Sequence, residues 1–245
     1  MAVFKRGEEM KRIFVLLLCF GFQYSFSATE STQNEDAKYF KIKSYKVAEL
    51  TEQEVLNMPG LNNTYTPNYV SNCSDDGSKD AEPSNVDLDQ VIRWGKEVWK
   101  IIQDNKAVVD VESVTVHALP SGIYCWDQLA TWQMPNSKYY QVTYENTYGI
   151  EVIDVVYRVT YSYGGSFHEK GKYLANVSVA PAKIDVMWGF KFESSVKVPF
   201  TLNVGSATDP VAGIELNIHW SVKSLNHSEQ SLSLFVDGQG GISQL

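Results

Sequence analysis

The sequence predicts an all-β protein: an antiparallel β-sandwich of about seven or eight strands with one N-terminal amphipathic helix packed on it. From Val111 almost to the C-terminus, apolar and polar residues alternate with a period of two, which places successive side chains on opposite faces of a strand. Clusters of turn-forming residues separate the alternating runs. Hydrophobic residues make up 44% of the chain and aromatic residues 13%, enough apolar surface for two sheets to bury against each other.

Taken in order, the chain opens with an export signal over residues 1–27. Lys11-Arg12 precede the apolar run Ile13 to Phe22, and Ser25-Phe26-Ser27 supply small residues for cleavage before Ala28. That is the order of a secretory leader of bacterial type, and its apolar run falls well short of the roughly 20 residues a spanning helix needs. Met10 directly precedes the basic pair and is the expected true start. Cys19 follows Leu18, where a lipoprotein leader carries a small residue, so lipidation is not expected. The expected location is secreted or periplasmic, in a bacterial cell envelope, with no transmembrane helix.

Residues 28–84 form a polar tail and a loop-rich connector with a short strand and a short helix. Tyr39 to Val47 reads as the strand, and Thr51 to Glu54, opening onto Val55, Leu56 and Met58, reads as a capping box. From Pro59 to Ser84, Asn, Asp, Ser, Gly and Pro dominate, a composition for turns. Residues 85–245 form the helix and the sandwich. Asp87 to Asn105 is the expected helix: Leu88, Val91, Ile92, Val98, Trp99 and Ile102 make a stripe at helical spacing, widened by Trp94 and Ile101. Its polar side mixes acidic and basic residues, which suits packing on a sheet better than lying on a membrane.

The expected strands include runs around Val142 to Tyr148, Ile153 to Tyr163, Tyr173 to Val179, Ile184 to Phe192, Val196 to Val204, Ile214 to Val222 and Leu232 to Val236. Expected turns lie at Tyr163 to Ser166, Ala180 to Ala182, Gly205 to Pro210 and Leu225 to Ser228. The same alternation would suit an outer-membrane barrel. A preceding helix and connector, the modest strand number and the polar C-terminal run favour the form whose wet faces meet water.

With 21 basic against 29 acidic residues and a net charge of −8, a nucleic-acid partner is not expected. Beyond the leader two cysteines remain, Cys73 and Cys125, and in an exported chain two thiols are read as one disulfide. No nucleophile elbow, zinc-protease motif or phosphate-cradling loop occurs, so no catalytic residue, metal or cofactor is assigned. His117 and His219 fall on polar strand faces and His168 and His227 in turns; all four are expected to face solvent. Asp154, Asp185, Glu193 and Glu215 sit on wet faces, where a hydrolase could use two of them and where charges ordinarily keep a sheet soluble.

The most suggestive stretch is Gly122 to Pro135. Tyr124, Trp126 and Trp132 could offer flat rings, with Asp127 and Gln128 as polar partners, to the face of a sugar. Alternatively, Trp126, Leu129 and Trp132 plug the end of the sandwich, and the spacing favours this. Phe167 is expected at a hairpin tip. Asn62, Asn72, Asn176 and Asn226 each begin an Asn-x-Ser/Thr triplet, which carries little meaning in a bacterial host. The leading functional reading is a non-catalytic binding module for a glycan, lipid or protein. The alternatives are a membrane-active protein of pore-forming or outer-membrane-barrel type, and a carboxylate-based hydrolase.

Overall fold

The computed structural model describes residues 36–61, 83, 85–95, 99–102 and 108–245. The expected leader, the tail to residue 35, the connector over residues 62–82, Cys19, Cys73, Asn62 and Asn72 lie outside the described residues. Among those described, strand β1 (Ile42–Leu50) is followed by helix α1 (Glu52–Asn57), β2 (Asp87–Trp94), β3 (Trp99–Ile102) and β4 (Val108–Ser121). A short 3-10 turn (Trp126–Gln128) leads into β5 (Asn136–Asn146), β6 (Glu151–Phe167), β7 (Lys170–Val186) and β8 (Lys191–Lys197). The chain closes with β9 (Thr201–Asn203), β10 (Ala212–Lys223), β11 (His227–Asp237) and β12 (Ile242–Gln244).

These strands form an all-β sandwich. One sheet runs β1-β5-β6-β7-β4-β2, and the other runs β3-β4-β8-β10-β11-β12 with β9 against the start of β10. Strand β4 belongs to both. Its C-terminal half pairs with β7 and β2, and its N-terminal half pairs with β3 and, in parallel, with β8. No helix of the described residues is long and apolar enough to cross a membrane.

The core is assembled from the alternation read in the sequence. Val142 and Tyr144 of β5, Val155, Tyr157, Val159 and Tyr161 of β6, and Ile214, Leu216, Ile218, Trp220 and Val222 of β10 are all buried. Burying so many tyrosines requires partners for their hydroxyls. The Trp220 Nε1–H donates to the Tyr144 hydroxyl across the sheets at 3.0 Å, Tyr157 donates to Ser194 Oγ at 2.7 Å, and Tyr161 donates to the Gly240 carbonyl at 2.9 Å. These bonds tie one sheet to the other inside the apolar layer.

The capping box is present as read. Thr51 Oγ1 accepts the Glu54 N–H at 3.3 Å, and the Glu54 carboxylate accepts the Thr51 N–H at 2.8 Å. Val55, Met58 and Leu61 beyond it pack on Leu50, Val156 and Ala182. This covers part of the outer face of the first sheet.

The expected helix from Asp87 to Asn105 is corrected: its described residues are β2 and β3, both paired antiparallel with β4. Val91, Ile92, Ile101 and Ile102 are β-branched and Trp94 and Trp99 aromatic, types that favour a pleated surface. Gly95 is the local signal against a helix. It sits at φ +90°, and a Cβ there would come within 2.9 Å of the Thr115 carbonyl oxygen, so the backbone lies directly against β4.

Two expected turns are also corrected. Tyr163 to Ser166 and Ala180 to Ala182 lie within the continuous 17-residue strands β6 and β7, at register shifts where bulges absorb the glycines and Pro181. The hairpin instead turns at His168 and Glu169, both left-handed at φ 48° and 64°, the geometry of a tight two-residue connection. The expected strand from Ile184 to Phe192 breaks after Val186 into a turn before β8. Phe167 is half-buried against the core rather than free at a tip.

Candidate binding surface

The stretch singled out as a sugar platform is placed at one end of the first sheet. Gln128 is occupied locally: its Oε1 accepts the Tyr124 and Cys125 N–H groups at 3.0 and 3.1 Å. Trp132 donates its Nε1–H to the Trp126 carbonyl at 3.1 Å, and the two rings meet edge to face at 6.4 Å. Both pack on the core beside buried Leu129. Tyr124 is exposed but pairs with Trp94 at 5.4 Å, and Asp127 faces solvent. The rings therefore fall into two separate edge-to-face pairs instead of one flat platform, and Trp126 and Trp132 fill the end of the sandwich. Cys125 is buried, and Cys73 lies outside the described residues.

His117 is buried, against the expectation of solvent. A register shift in the β4–β7 pairing removes the ladder partner of the Asn176 N–H, and His117 Nδ1 accepts that N–H at 3.1 Å. His168 and His227 are exposed and His219 is half-buried. Among the described residues no group of three or more His, Cys, Asp or Glu side chains is placed to hold a metal ion.

The four carboxylates divide between the two sheets, Asp154 and Asp185 standing opposite each other on β6 and β7. Asp154 is buried, a second departure from the wet-face reading, because β1, α1 and the residues after it shelter that part of the sheet. Lys183 binds it at 2.5 Å and Gln141 at 2.8 Å, while exposed Asp185 lies 3.5 Å from the same ammonium. Glu193 and Glu215 belong to the other sheet.

Glu193 lies in a shallow polar groove of about 310 Å³ on the outer face of that sheet, beside Ser195, His219, Ser221, Lys223 and Glu229. Hydrogen bonds from Lys191, then from Lys223, pull its carboxyl down from 4.5 to about 2. A general acid needs the opposite shift. Because the folded value is depressed, the stabilisation from this carboxylate is complete above pH 4.5 and disappears as the pH falls toward 2. The stability difference between wild type and Glu193→Gln, followed by urea titration, is expected to be constant above about pH 5 and to close near pH 2. A difference unchanged at the acidic limit would refute the assignment.

A second hollow, of about 480 Å³, lies between α1 and the start of β5. Leu50, Val55, Leu56 and Tyr139 line it, and the Glu49–Lys138 pair at 2.7 Å forms part of its wall.

Among the described residues, a further grouping of exposed apolar side chains lies where three turns meet the segment entering β1. Phe40 stands among them. Its carbonyl accepts the Leu225 N–H and the Ser224 hydroxyl, the neighbouring Lys41 carbonyl accepts the Thr147 N–H, and its ring meets Trp188 at 5.5 Å. Gly189 permits this approach, since a Cβ there would come within 2.1 Å of the Phe40 ring. Around Phe40, Trp188 is 78% exposed and Leu225 65%, with Tyr148, Ile150 and Met187 also open to water. Sequence reasoning missed this surface because Trp188 fits the alternation of a strand from Ile184 to Phe192. The available signal was Gly189, a turn residue directly after two bulky apolar ones. No protein-family model, curated protein or solved structure matches this chain.

Proposed function

We propose that this chain is an exported, non-catalytic binding module that engages its ligand through the end of the sandwich where Phe40, Tyr148, Ile150, Met187, Trp188 and Leu225 gather. The observation that carries the reading is the exposure of Trp188 and Leu225 on separate turns held together by Phe40. Scattered exposed apolar residues are ordinary, but a contiguous group at converging turns is characteristic of an interaction surface. Export rests on the leader-like order of residues 1–27, and a Cys73–Cys125 disulfide belongs to the same reading.

The pore-forming alternative is less well supported. The apolar side of the long β6–β7 hairpin is spent in the interior, where Val155, Tyr157, Val159 and Tyr161 are buried, and releasing it would dismantle the core.

A glycan array and a panel of immobilised lipids, probed with wild type and with the Trp188→Ser/Leu225→Ser variant, test the proposal. Wild type is expected to bind at least one class that the variant loses by about tenfold or more. Equal binding by both proteins, or no binding by wild type, would overturn it. Both substituted side chains are exposed, so the variant is expected to keep the wild-type circular-dichroism spectrum and melting temperature.

A further inference from the structure

We infer that the free edge of β1 is a second interaction surface, and that its partner is an extended acidic peptide segment added to the first sheet as a further strand. The inference goes beyond the apolar end and stands independently of it.

Strand β1 has nine residues with neither Pro nor Gly, and among the described residues β5 is its only ladder partner. Alternate residues of a strand paired on one side turn their N–H and C=O groups outward. The first such residue is already served. Ile42 donates its N–H to Asn226 Oδ1 at 2.9 Å, and its carbonyl accepts from Asn226 Nδ2 at 3.1 Å. One side chain thus makes the two bonds that a residue of a neighbouring strand would make. A register shift follows between Ile42 and Ser44, and past it no side chain of the described residues supplies such bonds as far as Leu50. Lys43, Ser44, Tyr45 and Lys46 are all exposed, so this part of the edge is open to an incoming chain.

Charge selects the partner. Residues 41–48 carry Lys41, Lys43 and Lys46 and no acidic residue, in a chain whose net charge is −8. Among the described residues Lys41 and Lys43 enter no ion pair, and Lys46 acts on the Glu54 carboxylate without an ion-pair contact. The nearest acids are engaged: Glu49 binds Lys138 at 2.7 Å, and Glu145 accepts the Ser44 hydroxyl at 3.4 Å. Lysines on an open edge discourage pairing with another basic strand, a second copy of β1 included. Toward an acidic strand the same charges attract, while the backbone groups supply the bonds and the register.

The test is fluorescence anisotropy of three short labelled peptides titrated with the purified chain. One alternates Glu and Val, one alternates Lys and Val, and the third is the Glu-Val sequence with every backbone amide N-methylated, which keeps the charges and removes the donors. Wild type is expected to bind the Glu-Val peptide about tenfold more tightly than either of the others, and less tightly at high salt. Lys41→Glu/Lys43→Glu/Lys46→Glu is expected to lose about tenfold or more for the Glu-Val peptide. All three side chains are exposed, so this variant is expected to keep the wild-type melting temperature. Trp188→Ser/Leu225→Ser is expected to bind the Glu-Val peptide as wild type does.

No binding of the Glu-Val peptide by wild type overturns the inference, as does equal binding by the triple variant. Equal binding of the N-methylated peptide would reduce the edge to a patch of charge and refute strand addition. Equal binding of the Lys-Val peptide would refute selection by charge; should the triple variant fail to fold, these two comparisons on wild type decide. Loss of binding in Trp188→Ser/Leu225→Ser would move the peptide to the apolar end. Concentration-dependent dimerisation of wild type that the triple variant abolishes would assign the edge to a second copy.

Discussion

Replacing Trp220 with alanine is expected to destabilise the protein by about 3–5 kcal/mol, the largest effect of any single truncation of the core. Among the described residues Trp220 is the largest fully buried side chain, and it lies on β10, between β8 and β11. Its removal leaves a cavity that neighbouring strands on both edges hold open. It also takes the indole donor from the Tyr144 hydroxyl, which retains Ser228 at 3.3 Å. Trp220→Phe keeps most of the apolar volume and loses the donor, so a cost of about 1–2 kcal/mol is expected for it. Urea unfolding of the two variants checks both values. A loss below about 1 kcal/mol for the alanine variant would mean that the sheets close over the gap and that the packing described is not rigid.

Asp154→Ala is expected to cost about 3 kcal/mol, although on an outward-facing strand position a carboxylate would ordinarily be dispensable. The substitution strands the Lys183 ammonium, which is largely sheltered from water, and frees the Gln141 amide from its acceptor. Asp185 at 3.5 Å remains as a partner but is itself exposed, which keeps the loss at the lower end of what breaking a buried pair costs. The double variant Asp154→Ala/Lys183→Met removes both charges and is expected to recover more than half of the loss. A double-mutant cycle by thermal unfolding measures the coupling. Additivity of the two single changes would contradict the pairing.

The sandwich was legible because alternation reports which face of a strand meets the core, and in β5, β6, β10 and β11 nothing local competes with that signal. The Thr51–Glu54 capping box was legible for the same reason, being satisfied within four residues. Asp87 to Asn105 was not: short apolar runs fit either period, and the decision came from pairing with β4, the strand that follows at Val108–Ser121. His117 and Asp154 follow the alternation faithfully and point away from the core. Their burial depends on a bulge in one case and on a segment a hundred residues earlier in the other. At the candidate surface, Trp126 and Trp132 attracted attention by composition, yet their rings are consumed by packing. Trp188 and Leu225 looked like ordinary strand and turn residues until Phe40 drew their turns together.

The membership of β4 in both sheets governs how the molecule can be made. Its first half aligns with Lys191 to Ser194, some eighty residues later, and its second half with Leu174 to Val179. Neither half of the sandwich is therefore a separable folding unit, and a fragment ending before β8 has no way to complete the shared strand. The β6–β7 hairpin, closed by two residues, can form early on local information alone. The mutual locking of the layers must wait for loop closures of long sequence separation, which makes folding slow compared with helical proteins of similar size. A chain emerging from the ribosome or threaded through a translocation channel thus stays pliable until nearly four-fifths of it has passed, and then sets as one piece.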